Sequence, residues 1–293
     1  MCPLPARKGM IGFRIGLTGT PMAQWFVIAT LLLCCWTVHA APTPEPAAGI
    51  ERSELFQFAS GDRMEDSGRL LVTGGRFNRT EDFEVVRQAD GGRSLTTVVT
   101  GANDIYRVQA RLAFGIDENA LSATGIGSYD DQPVRVTVQR SNENAQLVIT
   151  GATQASQIAP CGADCLFDMS PSALPMFTMT RRYDDSRGGA QTFRWVARSL
   201  VVDQVLLDGS AEIRKLGDFV FHNGEQETAV KQYAFVENLK DEVSGKFFKV
   251  AFNLYTTADH QPLAFATGGT TVGERVGYEG ITEALPVQIP EIR

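Results

Sequence analysis

Apolar and polar residues alternate with a period of two through most of the chain after its first forty residues, and this alternation is the strongest constraint on its fold. It is clearest in the runs Tyr106–Phe114, Val134–Arg140, Phe193–Val201 and Lys246–Leu254. Successive side chains of a strand point to opposite faces, so alternation produces a sheet with one buried face and one wet face. The pattern predicts a mainly β, antiparallel protein.

Shorter runs with the composition of strands fill the rest of the chain. They are Arg69–Val72, Phe83–Arg87, Leu95–Thr100, Gln146–Thr150, Phe219–His222, Ala229–Val236 and Leu263–Thr267. Glycine-containing pairs separate many of them, and Asp208-Gly209 and Asn223-Gly224 are typical of tight hairpin turns. Short strands joined in this way predict an antiparallel meander that forms one large half-barrel or two duplicated half-barrels.

Residues 151–189 interrupt this pattern with a short helical and loop insertion. A helix is predicted over Ser170–Met179, with shorter helical pieces near Asp117 and Glu237. Four large apolar residues of the insertion are interpreted as guards at the mouth of a cavity, because methionine suits adaptable apolar surfaces: Phe167, Met176, Phe177 and Met179. The alternative is that the segment plugs the core, since apolar runs usually face one.

A short internal similarity raises the question of duplication. The segment Tyr106-Arg-Val-Gln-Ala-Arg111 matches Phe193-Arg-Trp-Val-Ala-Arg198 at its aromatic, first Arg, Ala and last Arg positions. On this basis the halves are 54–150 and 190–282, joined by the insertion. Coincidence is the alternative, because alternating strands resemble one another.

The first forty residues have the features of a secretory signal peptide. Arg7, Lys8 and Arg14 precede an apolar run over Trp25–Trp36, and the small residue Ala40 stands at the expected cleavage site. The run is shorter than the roughly 20 apolar residues that span a bilayer. The sequence therefore predicts a periplasmic or secreted protein with no stable membrane span after cleavage of residues 1–40.

Domain boundaries follow from composition. Residues 41–53 are rich in Pro and Ala and are interpreted as a flexible leader. The β-rich domain is expected over 54–282, and residues 283–293 form a C-terminal tail.

Net charge limits the classes of partner. The whole chain carries a formal charge of −7, and its three basic residues before position 40 leave with the signal peptide. A more acidic mature chain repels nucleic acid at long range, and no basic stripe reverses this. No nucleic-acid partner is expected.

Two cysteines remain after cleavage, Cys161 and Cys165. An isolated close pair in an oxidising compartment predicts a disulfide, and Gly162 lets the small ring turn. A redox site and a metal site are the alternatives, although zinc would need two further ligands.

Motifs for covalent chemistry are missing. There is no Gly-x-Ser-x-Gly elbow, no phosphate-binding Gly-rich loop and no dinucleotide fingerprint. No cofactor, metal site or catalytic residue is predicted, and whether the chain is an enzyme stays open. An enzyme that uses carboxylates is kept as an alternative, on four residues: Asp130, Asp131, Asp184 and His222.

These features together resemble the periplasmic lipid-carrier half-barrels, which include the lipoprotein-carrier family and glycolipid-binding proteins of duplicated half-barrel form. The resemblance covers residues 54–282 and rests on architecture and on the aromatic-Arg-x-x-Ala-Arg strands. It implies an open β cup that holds acyl chains without covalent chemistry. The cysteine-bearing insertion departs from a simple carrier, so the resemblance assigns neither the ligand nor the partner.

The first functional hypothesis is therefore an exported protein that binds a hydrophobic or amphipathic ligand such as a lipid or glycolipid. Six residues on the apolar rows of two strands would line its cavity, together with the four of the insertion: Tyr106, Val108, Leu112, Phe114, Phe193 and Trp195. The second alternative is a structural or assembly module of the cell envelope that binds another protein through a sheet edge.

Overall fold

A computed structural model describes residues 47–74, 78–102, 105–129, 132–141, 144–150, 156–160, 165–169, 171–198, 206–241, 244–268, 271–285 and 287–288. The strands are β1 (Arg63–Thr73), β2 (Arg79–Arg87), β3 (Arg93–Gly101), β4 (Tyr106–Phe114), β5 (Ala120–Tyr129), β6 (Gln132–Ser141), β7 (Asn144–Thr150), β8 (Ser156–Pro160), β9 (Cys165–Asp168), β10 (Ala190–Arg198), β11 (Leu206–Asn223), β12 (Gln226–Asp241), β13 (Phe247–Thr257), β14 (Pro262–Thr267) and β15 (Val272–Arg275). The helices are α1 (Leu174–Thr180) and α2 (Ile281–Ala284).

All described strands belong to one 15-stranded sheet, in the order β8-β7-β6-β5-β4-β3-β2-β1-β15-β14-β13-β12-β11-β10-β9. Neighbouring strands are antiparallel, except that β9 runs parallel to β10. The first and last strands meet in the middle of the sheet, where Leu70 of β1 lies opposite Arg275 of β15. The predicted mainly β, antiparallel meander is confirmed, and it forms one continuous sheet.

The sheet must curl, because its two edges are close in sequence. The edge strands β8 and β9 are separated only by residues 161–164, and so short a connection spans at most about 19 Å. A flat sheet of this many strands would be about 67 Å wide at the usual strand spacing. In agreement with this, the edge strand β9 also lies close to β5, which is far from it in the sheet order. The result is a nearly closed, barrel-like sheet.

The antiparallel order gives this sheet two rims. The cleft rim is where β1 and β3 begin, at Arg63 and Arg93, and where β4 ends at Phe114. The hairpin rim is the opposite one, where β4 begins at Tyr106 and β13 begins at Phe247.

Helix α1 fills the interior. It follows β9, which ends at the hairpin rim, and it leads to β10, which begins at the cleft rim. Its side chains are buried at all positions except Thr178. At its start, the Glu81 carboxylate of β2 accepts hydrogen bonds from Ser172 Oγ and the backbone N–H of Ala173, both at 2.9 Å. Pro175 fits the first turn, where no backbone donor is needed.

The outer face of the sheet is covered in two places. Helix α2 closes a separate apolar cluster on β12 to β14 that includes Val230, Tyr255 and Leu263. Residues at the end of the predicted leader lie against β2 to β4: Arg52 pairs with Glu84 at 2.8 Å, and Ser53 donates a hydrogen bond to Gln109. These contacts hold the described part of the leader against the domain.

Three local expectations were wrong. The segment near Asp117 is not helical but forms the turn between β4 and β5, where the N–H of Glu118 donates to the carbonyl of Gly115. Asp208-Gly209 is not a turn but lies inside the long strand β11, where Gly209 allows the backbone of Asn238 on β12 to approach too closely for a side chain. Glu237 is not helical but lies inside β12, paired on both sides. Hydrogen bonds from two neighbouring strands override a local preference at Gly209 and at Glu237. Asn223-Gly224 does form a hairpin turn, with Gly224 at a φ of 60°.

Candidate functional site

The predicted apolar rows face the interior of the sheet. Val108, Leu112, Phe114 and Trp195 are almost fully buried in the main core. Tyr106 and Phe193 are partly buried and lie against the same core.

The four predicted mouth residues are also in the core. Phe167, on β9, and Met176, Phe177 and Met179, on α1, are each at most 4% exposed. They pack among the side chains of the strands in the main core. This burial agrees with the alternative interpretation, in which the segment plugs the core.

The cysteine pair is described only in part. Cys165 begins β9 and is fully buried. Cys161 lies outside the described residues, so the disulfide stays a prediction.

The two described residues proposed for carboxylate chemistry, Asp184 and His222, have separate partners. Asp130 and Asp131 lie outside the described residues. Asp184 accepts hydrogen bonds from Ser186 in an exposed turn, and His222 lies at an exposed hairpin end, 3.4 Å from Glu227. Among the described residues, no three or more His, Cys, Asp or Glu side chains are grouped to hold a metal ion.

A cleft of about 490 Å³ opens at the cleft rim. Its walls come from the start of β1, the start of β3, the segment after α1 and the turn between β13 and β14. The lining residues are Arg63, Met64, Glu65, Arg93, Arg181, Ala258, Asp259, His260 and Gln261. The volume is in the range of small-molecule sites in proteins.

Most charges in and around the cleft are paired. Glu65 accepts hydrogen bonds from Arg87 and Arg93, and Arg93 also pairs with Glu118. Although burial raises the pKa of Glu65, the hydrogen bonds from Arg93 and Arg87 bring it below its usual range. Glu65 therefore stays ionised and holds both guanidinium groups at the rim.

The exposed Arg63 and Asp259 also line the cleft and have no ion pair among the described residues, but Arg181 is the unpaired charge that is partly buried. Among the described residues, none forms an ion pair or hydrogen bond with its guanidinium. Burial, and then the neighbouring charge of Arg93, lowers the pKa of Arg181 to about 10. Because that pKa is still far above neutral pH, the site presents a charged, partly desolvated cation to whatever enters the cleft.

His260 connects the cleft to helix α1. Its Nδ1 lies 3.1 Å from Thr180 Oγ1, and the Thr180 hydroxyl donates to the carbonyl of Phe177. Its Nε2 lies 3.5 Å from Lys231 Nζ. Burial, and then the charges of Lys231 and Arg181, lowers the pKa of His260 to about 4. The neutral ring accepts from Lys231 and donates to Thr180, a tautomer assigned from the hydrogen-bond network.

A narrow apolar crevice continues inward from the cleft. Arg93, Arg181 and His260 line both spaces. The crevice has an inner volume of about 20 Å³, on the scale of one water molecule or methyl group. Its apolar lining is Val85, Leu95, Phe114, Leu174, Phe177 and Pro262. Two predicted site residues, Phe114 and Phe177, are thereby brought together here.

The arrangement combines a surplus cation with a small apolar recess. It suits an anion with an attached apolar group, because the guanidinium can form charge-assisted hydrogen bonds while the apolar part leaves water. The sequence reasoning missed Arg93, Arg181 and His260, which are far apart in the chain. The one local signal was Arg181-Arg182 directly after the predicted helix, where basic residues are favoured.

A second group of buried ionisable side chains lies toward the hairpin rim. Burial, followed by the charges of Glu237 and Glu81, holds the pKa of Asp168 well above its usual range. Burial also raises the pKa of Glu237 to about 7. Glu81 is paired with Arg79 at 2.7 Å. None of these carboxyl groups lines the cleft or the crevice, so no ligand is assigned to them.

The chain is similar in structure to two solved proteins. A β-barrel-like protein of the domain of unknown function DUF1849 from Brucella abortus gives a TM-score of 0.49 at 9% identity, covering 73% of this chain and 94% of that one. A DUF1089 family protein from Pseudomonas aeruginosa gives a TM-score of 0.35 at 12% identity, covering 73% and 93%. Neither likeness assigns a ligand to this chain. No family model and no curated protein matches it.

Neither helix of the described chain has the length and apolar character that crossing a membrane requires.

Proposed function

We propose that this chain is an exported protein of the periplasm or the extracellular space that binds a small anionic amphiphile at its cleft rim. The observation that carries the proposal is Arg181, a half-buried guanidinium with no described counter-ion, placed where an open cleft meets an apolar crevice. Export is proposed from the signal-like residues 1–40.

The anionic group of the ligand, a carboxylate or a phosphate, would lie against Arg181 and beside Arg93. Only a methyl-sized portion of its apolar part would fit the crevice lined by Phe114 and Phe177, and the rest would lie in the cleft. The described interior is filled by α1, so the ligand is proposed at the rim and not in a deep central cup. A lipid or glycolipid with an acidic head group has this chemistry, and so does a short fatty acid.

The proposal is tested by titrating residues 44–293, which form one compact unit, with octanoate, octyl phosphate and octanol in a calorimeter. Both anions should bind, and octanol should bind at least about tenfold more weakly, because a hydrogen bond to a charged group contributes about 1.5–3 kcal/mol. Arg181→Gln should weaken the binding of the anions by about the same factor.

Arg187→Gln is the matched control, because Arg187 is an exposed arginine on the loop between α1 and β10. It should leave the affinity unchanged. Equal affinity for octanol and octanoate, or full binding by the Arg181→Gln variant, would contradict the proposal. Mass spectrometry of protein purified from its own envelope would then identify the natural ligand.

A further inference from the structure

The end of β11 and the start of β12 form a two-stranded arm that extends past the neighbouring strands. β10 pairs with β11 only as far as Arg214, and β13 pairs with β12 only from Val230 onward. Among the described residues, Gly217–Asn223 and Gln226–Ala229 are therefore not paired with a third strand. We call residues 217–229 the arm, and the side of β11 that faces away from β12 its open edge.

One face of the arm is packed and holds it in place. Phe221 is buried, and its ring lies 6.5 Å from that of Tyr278, measured between centroids. The side chain of Asn223 donates a hydrogen bond to the carbonyl of Gly277 at 2.7 Å. A two-stranded hairpin without such support is marginally stable in water. These contacts therefore present the open edge in a fixed position.

The other face of the arm carries an exposed row of three side chains on β11: Asp218, Val220 and His222. Val220 is 52% exposed, and the side chains of Asp218 and His222 are 66% and 62% exposed. Asp218 lies 2.9 Å from Lys215, and His222 lies 3.4 Å from Glu227. Their high exposure leaves both side chains room for a further partner.

The backbone groups of the exposed row point to the open edge. Gly224 and Glu225 form a two-residue turn, so the flanking Asn223 and Gln226 exchange both of their backbone hydrogen bonds. Hydrogen-bonded and non-hydrogen-bonded pairs alternate along an antiparallel ladder. The three residues of the row thus occupy non-hydrogen-bonded positions opposite β12, and their N–H and C=O groups face away from it. In the described part of the chain, no other backbone group bonds to them.

We propose that the open edge pairs with the same edge of a second copy of this chain, antiparallel about a two-fold axis at Val220. An axis perpendicular to the sheet keeps each side chain on its own face, so only residues of the same face can lie opposite each other. With the axis at Val220, that residue lies opposite its own copy, and Asp218 lies opposite His222 in both directions. Each of these pairs can exchange both of its backbone hydrogen bonds.

Other positions of the axis use the edge less completely. An axis at Phe219 would place His222 opposite Leu216, where the register of β11 with β12 shifts at a bulge. An axis at Phe221 would place Asp218 opposite Gly224, in the turn. The axis at Val220 is the one that keeps all three residues of the row within regular strand.

The side chains favour a second copy as the occupant. The carboxylate of Asp218 comes beside the imidazole of His222 twice, and a carboxylate accepts a hydrogen bond from a neutral or a protonated imidazole. Val220 meets its own copy on the same face, and Phe219 lies opposite Phe221 on the other face. Cross-strand pairs of these kinds stabilise antiparallel sheets, whereas like charges directly opposite would destabilise them.

The pairing also closes on itself. The bulge after Lys215 ends the regular edge on one side, and the turn at Gly224 ends it on the other. Short edges and bulges limit open-ended strand addition. A two-fold pair uses the same edge of both copies and leaves none of it free, so the expected assembly is a dimer and not a fibre.

The test is sedimentation of residues 44–293 over a concentration series, in which a reversible dimer should form by about 0.5 mM. Val220→Pro should raise the dissociation constant at least about tenfold, because proline removes an edge N–H that the arm itself does not use. Ala229→Pro is the matched control. Ala229 is exposed directly opposite Val220, at the same kind of backbone position but on the other edge of the arm, and its variant should dimerise normally.

Two further substitutions test the pairing without proline. His222→Glu should weaken the dimer, and His222→Lys should tighten it about two- to fivefold, since each faces the Asp218 carboxylate of the other copy. Val220→Cys should cross-link two chains on oxidation, because directly opposite Cα atoms lie about 5.5 Å apart, a distance that a disulfide bridges. The unsubstituted chain and Ala229→Cys should not cross-link.

The inference does not rest on the proposed ligand site, so Arg181→Gln should dimerise like the unsubstituted chain. A chain that stays monomeric at about 0.5 mM would overturn it. So would a dimer that Val220→Pro leaves intact, one that Ala229→Pro disperses, or equal cross-linking by Ala229→Cys. Thermal unfolding of each variant verifies that it is folded.

Discussion

At the scale of single residues, the interior has opposite electrostatic character at its two ends. Arg181 and the neutral His260 lie at the cleft rim, while Asp168 and Glu237 lie toward the hairpin rim. In each place burial removes water from an ionisable group and disfavours its charged form. The cationic groups line a cleft, and a ligand is proposed there for that reason.

Replacing Arg181 should change the titration of His260. Arg181 is one of the charges that lower the pKa of His260 to about 4, after burial and Lys231. Arg181→Gln is therefore expected to raise that pKa, but to leave it below the usual value because burial persists. NMR titration of the imidazole measures this. An unchanged or lower midpoint would show that the two side chains do not interact.

Glu237 should make the protein less stable as the pH rises. Its pKa of about 7 lies above that of an unfolded Glu, so the folded state holds a proton that the unfolded state has lost. This contribution is complete below pH of about 4, the unfolded pKa, and disappears as the pH rises through about 7.

Glu237→Gln should reduce the loss of stability at alkaline pH. There its free energy of unfolding should exceed that of the wild type by about 1–3 kcal/mol, which thermal unfolding would show as a higher midpoint temperature. Asp168 titrates in the same sense, so part of the pH dependence should remain. The exposed Glu227→Gln is the control. A wild-type protein that gains stability from mildly acid to mildly alkaline pH would refute this assignment.

At the scale of elements, α1 is a core element. Every α1 residue except Thr178 is buried, and the helix is fixed at both ends, by Glu81 at its start and by the contact of Thr180 with His260 at its end. An isolated helix of this length would not persist in water. Its stability therefore comes from the surrounding sheet.

Truncating the helix inside the barrel should be costly. Phe177→Ala is expected to lower the free energy of unfolding by about 3–5 kcal/mol, because it removes a fully buried ring and leaves a cavity. Phe247→Ala, at an exposed phenylalanine, should change it by less than about 0.5 kcal/mol. Urea unfolding measures both. Similar values for the two variants would mean that α1 does not fill the core.

At the scale of the whole molecule, the pairing of β1 with β15 joins the two suggested halves, 54–150 and 190–282, into one sheet. Both halves also contribute to a single main core, with Leu112 and Trp195 in the same cluster. A common core and a common sheet make independent unfolding of either half unfavourable.

Calorimetry should therefore show one cooperative transition for residues 44–293, with calorimetric and van't Hoff enthalpies in agreement. Two separate transitions would contradict the continuous sheet and would favour independent duplicated halves. The duplication itself, based on Tyr106–Arg111 and Phe193–Arg198, stays a prediction, because a shared sheet is compatible with either origin.

The sequence predicted well which strand side chains face the core, and it predicted poorly which residues line the cleft. Val108, Leu112 and Phe114 were placed on one buried face because strand alternation is a local property. Arg93, Arg181 and His260 have no common pattern in the chain, so their convergence was invisible. Asp208-Gly209 has the composition of a turn, and only the close approach of β12 shows why a glycine is needed inside a strand.

The sequence by itself determined the β class, because a period of two specifies which side chains face inward wherever a strand forms. The tertiary structure alone decided that Leu174–Thr180 is buried among the strands, since whether an apolar helix covers a cavity or packs into the core depends on how far the sheet curls. It also decided that the partly buried Arg181 has no ion pair among the described residues, because electrostatic pairing depends on distances in space and not on spacing along the chain.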